Sequence, residues 1–378
     1  MNKKVLWLVG TGLVAVVVVV LVVMNRPRGD GREITIGAIL PLTGDAGSYG
    51  AGLKRGMDLA LEQVNGDGGI NGRDLVIKVE DSQADPAKAV NAFNKLRSVD
   101  RIPMVLGDMF SAGTLAIAPI AERNKIVLLS PTASAVELTD AGDYIFRIYP
   151  SDTYDGTYLA HYAKDVMHVQ RVAIVPMQTA SIAAIVDVFR KAFEKAGGHI
   201  VAVETYREGD VDFRTQLTKV KATNPDLIFM PGYLKEMATM LRQAKELGIS
   251  GPFLSISTFF DPKILELAGN AADGVMFSAP AFDPGSDSAD IQTFVNSFRA
   301  KYGQEPDILA AYGYDVVMIA AKALRQAGDL DPASIKTALY SIQGYPGITG
   351  QTTFDANGDV NKALRMMTVR NGDFTPVK

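Results

Sequence analysis

Cysteine is absent from the 378 residues, which excludes disulfides, thiolate metal centres and cysteine nucleophiles. Histidine is scarce, with only His161, His168 and His199. No Gly-x-Ser-x-Gly elbow surrounds any serine, so the nucleophile–base pairing of a hydrolase has no candidate. His161 and His168 lie seven residues apart on one predicted helix, where a solvent face is expected because a metal needs more ligands than these. A Walker-type phosphate loop is missing too. So is a basic stripe. The formal charge is −4, but residues 1–32 hold five of the 38 basic and one of the 42 acidic side chains, leaving −8 for the remainder. An acidic globular body of this kind argues against nucleic acid as a partner. No cofactor is implied.

What is present begins with a compositional break. Lys3 and Lys4 precede an uncharged run, Val5 to Met24, that is long enough to span a bilayer as a helix. Neither a small-x-small cleavage site nor a lipidation cysteine follows it. The expectation is an uncleaved anchor in the inner membrane within residues 1–32, with the body in the periplasm; a signal segment cut near Arg28 is the alternative. Gly10-Thr11-Gly12-Leu13-Val14-Ala15 matches a dinucleotide fingerprint by letters, but no strand precedes it.

Downstream, the stretch Met104 to Ser134 organises the chain. Met104-Val105-Leu106 and Ile126-Val127-Leu128-Leu129 are short apolar runs, each ending in a small-residue turn. Such runs, bounded by Gly, Pro and Ser and followed by apolar periodicity, read as strand, turn and helix in a parallel α/β sheet. Ligands sit outside the carboxyl ends of such strands. There, backbone N–H groups and the hydroxyls of Ser111 and Ser134 can hold a carboxylate, because helix N-termini offer unpaired donors. The same hydroxyls could equally be helix caps.

The alternation continues. Strand Ile34–Leu40, helix Gly50–Val64, strand Leu75–Val79 and helix Pro86–Arg97 lead into Met104, implying a parallel sheet with right-handed crossovers. After Tyr144-Ile145-Phe146-Arg147 a second series runs from helix Thr153–Val166 to a strand at Val275–Ser278. The tail is less regular: helices Ile291–Tyr302, Ile308–Gln326 and Pro332–Ser341, then a last strand near Leu364–Val369. Asp355, Asn357, Asp359 and Asn361 mimic the start of a calcium loop. Val360 replaces the glycine such a loop needs and Met366 its glutamate, so a polar hairpin turn is expected.

Several short motifs recur in order: Ile36-Gly37 through Pro41-Leu42-Thr43-Gly44, Tyr49-Gly50, Gly68-Gly69-Ile70-Asn71-Gly72, Ser130-Pro131-Thr132, Phe146-Arg147, Asp152 with Gly156, Met240-Leu241-Arg242-Gln243-Ala244 and Tyr312-Gly313-Tyr314-Asp315. On these the chain resembles the type I periplasmic binding proteins, most closely the leucine/isoleucine/valine-binding branch serving branched-chain amino-acid ABC importers. The resemblance implies an α/β fold of two lobes, each a largely parallel sheet flanked by helices, joined by three crossovers. Lobe 1 would take 33–150 and 281–345, and lobe 2 151–280 and 346–378. It implies a non-enzymatic receptor that closes on a small ligand, an amino acid or related carboxylate, and delivers it to an ABC permease.

Carried over by position, Ser111 and Ser134 would bind the ligand carboxylate, Thr132 (through its backbone) and Ser134 would face its amino group, and Tyr49 and Tyr233 would wall the pocket. Asp152 would lie near the ammonium, or merely cap a helix. Ser257 and Ser181 fall where the resemblance places an ammonium-binding glutamate and a pocket tyrosine. Serine carries no charge, so an amine-free carboxylate or an amide stays open as the ligand. A membrane-tethered sensor or protein-interaction module on the same fold is the alternative function.

Overall fold

The structure is a computed structural model that describes residues 33–44 and 46–377. The expected anchor, residues 1–32, lies outside the described residues. Among the described residues, no helix is long and apolar enough to cross a membrane.

The chain first lays down strands β1 (Ile34–Leu40), β2 (Leu75–Asp81), β3 (Met104–Leu106), β4 (Val127–Ser130) and β5 (Ile145–Arg147), with helices α1 (Gly47–Gly66), α2 (Pro86–Ser98) and α3 (Ser111–Asn124) between them. These strands form one parallel sheet in the order β2-β1-β3-β4-β5. Successive strand residues point to opposite faces. Ile36, Ala38 and Leu40 accordingly enter one core cluster and Ile39 another, so both faces of the sheet are covered, as parallel sheets require.

The second series follows: α4 (Asp152–His161), β6 (Arg171–Ile174), α5 (Ala180–Lys195), β7 (His199–Val203), α6 (Arg214–Ala222), β8 (Leu227–Phe229), α7 (Leu234–Glu246), β9 (Phe253–Ser255), α8 (Pro262–Ala268) and β10 (Met276–Pro280). The predicted helix to Val166 ends its α-helical part at His161 and continues as a π turn through Val166. Helix α8 is not among the predicted elements, although Asp261-Pro262 is an N-cap followed by proline at the first helical position.

Helices α9 (Ala289–Tyr302), α10 (Ile308–Ala327) and α11 (Pro332–Tyr340) then return to the first sheet. Helix α10 crosses α1 at backbone contact distance. A Cβ at Gly56 would stand 1.8 Å from the Ala310 carbonyl oxygen, and one at Gly313 would stand 2.0 Å from that of Leu53. A short hairpin of β11 (Tyr345–Gly347) and β12 (Gly350–Thr352) precedes β13 (Leu364–Arg370) and β14 (Asp373–Pro376). These last two add antiparallel to the second sheet, whose order is β14-β13-β10-β9-β8-β6-β7. Asn371-Gly372, both at positive φ, make their turn, the backbone pattern that this dipeptide favours.

The chain therefore crosses between lobes after β5, after β10 and before β13. The third crossing corrects the expected boundary. Ile348, Phe354 and Val360 pack into the first core, so residues 346–360 belong with lobe 1, and the crossing falls at 361–363. The reason is apolar: the hairpin region buries its large side chains against α10 and β5, not against the second sheet.

A buried ion pair locks the crossings. Arg147 at the end of β5 donates from Nε and Nη2 to the two oxygens of Asp359, each at 2.6 Å. Asp359 is thus spent on Arg147, while Asp355 Oδ1 accepts the N–H groups of Asn357 and Asp359 at 2.8 and 3.0 Å. The calcium-like run is a structural turn. Buried Lys362 bonds Thr349 at 2.6 Å, lies 3.6 Å from Asp315 and stands over the Tyr312 ring.

Candidate functional site

Strand order reverses twice. In the first sheet β1 lies between β2 and β3, and in the second β6 lies between β7 and β8. At such a switch point the loops leaving adjacent strands diverge to opposite faces and open a crevice. Tyr49 follows β1 and Ser111 follows β3; Ser181 follows β6 and Tyr233 follows β8. The topology thus brings four of the expected residues to the two crevices. Thr132 and Ser134 follow β4, and Ser257 follows β9, one strand further along.

The turns of the first lobe are pinned to each other. The hydroxyls of Thr114 and Ser130 both donate to the Asp108 carbonyl oxygen at 2.8 Å, and Thr132 Oγ1 donates to the Met109 carbonyl oxygen at 2.7 Å. The Thr132 hydroxyl is therefore consumed within the protein. Burial pushes the Asp108 carboxyl up to about 6, partly offset by the Ser82 hydroxyl and the N–H groups of Met109 and Phe110.

Neither Ser111 nor Ser134 caps a helix. Phe110 holds the N-cap position of α3, and Ser111 is its first helical residue. The Ser111 hydroxyl oxygen accepts the N–H groups of Ser134 and Ala135 at 3.2 and 3.1 Å. Both lone pairs are then engaged, and only its hydrogen remains to be donated. Ser134 in turn accepts the Asp152 N–H on its carbonyl oxygen at 2.8 Å.

Asp152 does not cap α4 either; Ser151 does, accepting the Tyr154 N–H at 3.2 Å. Asp152 is buried. Burial pushes its carboxyl up to about 6, against the Ser134 hydroxyl and the more distant Arg147 guanidinium, which hold it down. Since Arg147 is forked onto Asp359, Asp152 has no cation of its own among the described residues.

From the second lobe, Ser257 is held by a residue that no sequence motif marks. Tyr149, in the first crossing, donates its hydroxyl to Ser257 Oγ at 2.9 Å, and its ring lies 5.0 Å from that of Tyr312. Ser181 sits in the first turn of α5, half-buried, with Oγ 3.3 Å from that of Thr179, the actual cap. Tyr49 and Tyr233 are rim residues, 39% and 40% exposed. The Tyr49 ring meets Phe110 edge-on at 6.3 Å. Partial burial raises its phenol, and Asp261 at the head of α8 in the other lobe adds to the rise. A cavity of about 630 Å³ also opens between α5 and the edge strand β7, lined by none of these eight residues. The histidines stay apart from all of this: His161 pairs with Asp165 at 3.0 Å on an exposed face.

Two α/β lobes, each presenting its switch-point turns toward a hinge of three crossings, define a solute receptor of the type I periplasmic binding fold. The chain belongs to the periplasmic binding protein family, whose model matches residues 33–373. It is 28% identical to the leucine-, isoleucine-, valine-, threonine- and alanine-binding protein of Pseudomonas aeruginosa over 337 residues, 89% of this chain and 87% of the relative. The solved leucine-binding protein of Thermotoga maritima superposes with TM-score 0.83 at 28% identity, covering 91% of this chain and 98% of that one. A branched-chain amino acid transporter substrate-binding protein of Streptococcus pneumoniae, in complex with isoleucine, gives TM-score 0.82 at 30% identity, covering 92% and 99%. As a member of this family the protein is an extracytoplasmic solute-binding protein.

Proposed function

We propose that the protein captures a small amino acid in the interlobe cleft and delivers it to an ABC importer of the inner membrane. The single observation that carries this reading is the hydrogen-bonded chain Ser111–Ser134–Asp152. At one end is a hydroxyl with only a hydrogen left to give, beside the N-terminus of α3, where an anion is favoured. At the other is a buried carboxylate without a cation. An unpaired desolvated charge is costly, and a ligand ammonium would relieve it. Donor and acceptor so placed complement a zwitterion, not a simple acid. The Pseudomonas aeruginosa relative, named for binding leucine, isoleucine, valine, threonine and alanine, and the Streptococcus pneumoniae structure, which holds isoleucine, support the same class.

Closure would be a population shift, since a ligand touching both lobes binds the closed form better. On this reading the receptor carries its ligand unchanged and is not an enzyme, and Val5–Met24 would hold it at the inner membrane. The test is isothermal titration of wild type and Asp152→Asn with L-leucine, L-isoleucine, L-valine and their deaminated acids. The expected result is binding of an amino acid that Asp152→Asn weakens at least tenfold, in line with a charge-assisted hydrogen bond. Binding of the deaminated acids alone, indifferent to Asp152→Asn, would sink the amino-acid reading.

A further inference from the structure

The first turn of α4 carries a second acid, three residues after Asp152 and so on the same helix face. Asp155 is 6% exposed, and its Oδ1 has no hydrogen-bond partner. Opposite it lies Ser278 of β10, fully buried, whose hydroxyl faces the Asp155 carboxyl. Burial pushes the Asp155 carboxyl up to about 7; the Ser278 hydroxyl facing it opposes this rise, and Asp152 adds to it. Buried polar atoms are nearly always satisfied; the Ser278 hydroxyl can serve one oxygen of Asp155, and Oδ1 is left for a partner from outside the protein.

The surroundings narrow what that partner is. The Tyr149 phenol, raised first by its burial, feels Asp155 and then Asp152 as neighbouring charges, and its hydroxyl is bonded to Ser257. Asp152, Asp155, Tyr149 and Ser257 therefore form one cluster between the lobes. Among the described residues its acids lack a cation, because the two buried cations of the crossings are engaged elsewhere: Arg147 with Asp359, and Lys362 with Thr349 and Asp315. Ser257 is neutral and already accepts a hydrogen bond. An ammonium group has three N–H donors, and Asp152 answers only part of that demand.

We propose that Asp155 is a second carboxylate for the ligand's ammonium group, supplying from the first helix of the second lobe the charge that is absent at Ser257. The inference rests on the amino-acid reading above. It assigns the ammonium to two acids of α4, with Tyr149 of the first crossing and Ser257 after β9 closing the cluster.

The test is titration of the purified full chain with L-leucine and with 4-methylpentanoate, comparing wild type, Asp155→Asn and the double variant Asp155→Asn/Ser257→Glu. The expected result for Asp155→Asn is leucine affinity lowered roughly 10- to 100-fold, the worth of a charge-assisted hydrogen bond. Affinity for 4-methylpentanoate should be unchanged or tighter. Ser257→Glu, which restores a carboxylate to the same cluster, should recover much of the leucine affinity. Unchanged leucine binding by Asp155→Asn overturns the proposal, and so does an equal loss for both ligands, which would mark a purely structural residue. Wild type that binds 4-methylpentanoate and no amino acid would instead overturn the amino-acid reading, and this proposal with it.

Discussion

Arg147, at the end of the last strand of the first sheet, forks onto both carboxylate oxygens of Asp359, 212 residues later, with 2.6 Å to each. The same guanidinium also reaches the Ala135 carbonyl oxygen at 2.7 Å and the Thr139 hydroxyl at 2.8 Å. One side chain thus joins the first crossing, the turn bearing Ser134 and the approach to the third crossing. A buried pair of this kind is weak evidence for net stabilisation, but removal of one partner leaves the other charge stranded.

Asp359→Asn should accordingly cost about 3–5 kcal/mol of stability, the usual price of an uncompensated buried charge. Urea denaturation of the ligand-free protein checks this. A loss below about 1 kcal/mol, the range of exposed pairs, would mean that water reaches Arg147 freely.

Tyr149→Phe keeps the ring against Tyr312 and removes only the bond to Ser257. One hydrogen bond is worth about 0.5–1.5 kcal/mol net, so ligand affinity should fall roughly 2- to 10-fold. Ser257→Ala should do the same, and the double variant should be no worse than either single one. Additive losses in that cycle would show that the two residues act independently.

Three buried carboxyls have pKa values raised from the ordinary 3.8: Asp108 and Asp152 to about 6, and Asp155 to about 7. A raised folded-state pKa means that the native state binds more protons than the unfolded chain between the two values. Stability from these groups is then fully present below about pH 4 and is lost as pH rises through about 6 to 7. The ligand-free protein should therefore melt higher at pH 5.5 than at pH 8, and Asp108→Asn should flatten that slope while leaving the ligand groups intact. A melting temperature that rises steadily from pH 5.5 to 8 would contradict the burial of these acids as charged species.

Gly56→Ala should destabilise the first lobe by about 1–3 kcal/mol, the typical cost of overpacking, because its Cβ would overlap the Ala310 carbonyl oxygen. The Cβ is fixed rigidly to the α1 backbone and the carbonyl oxygen belongs to that of α10, so only separation of the two helices relieves the clash. A melting temperature equal to wild type would show that this crossing has slack.

Much of the architecture was legible in the sequence because its signals are local. Period-2 and helical apolar patterns located β1 at Ile34–Leu40 and α10 to within a residue at each end, and the order of small-residue turns pointed to Ser111 and Ser134. Helix α8 and strand β14 also carried local signals, Asp261-Pro262 and Asn371-Gly372, although periodicity over so few residues is faint.

Other features depend on contacts between residues far apart in the chain, and no local pattern encodes those. The apolar side chains of 346–360 could have covered either lobe; their packing against the first core decided it. Ser111 could have been a cap by its residue type, and only the approach of the Ser134 turn made its oxygen an acceptor for two N–H groups. Tyr149 meets Ser257 across 108 residues. By itself, the sequence determined which segments are strands and helices and the residue types available at each strand end, because propensity and periodicity act over a few residues. Which of those residues share one buried cluster, and which charges are left without partners, was decided by the tertiary structure, because burial and charge pairing exist only once distant segments exclude water together.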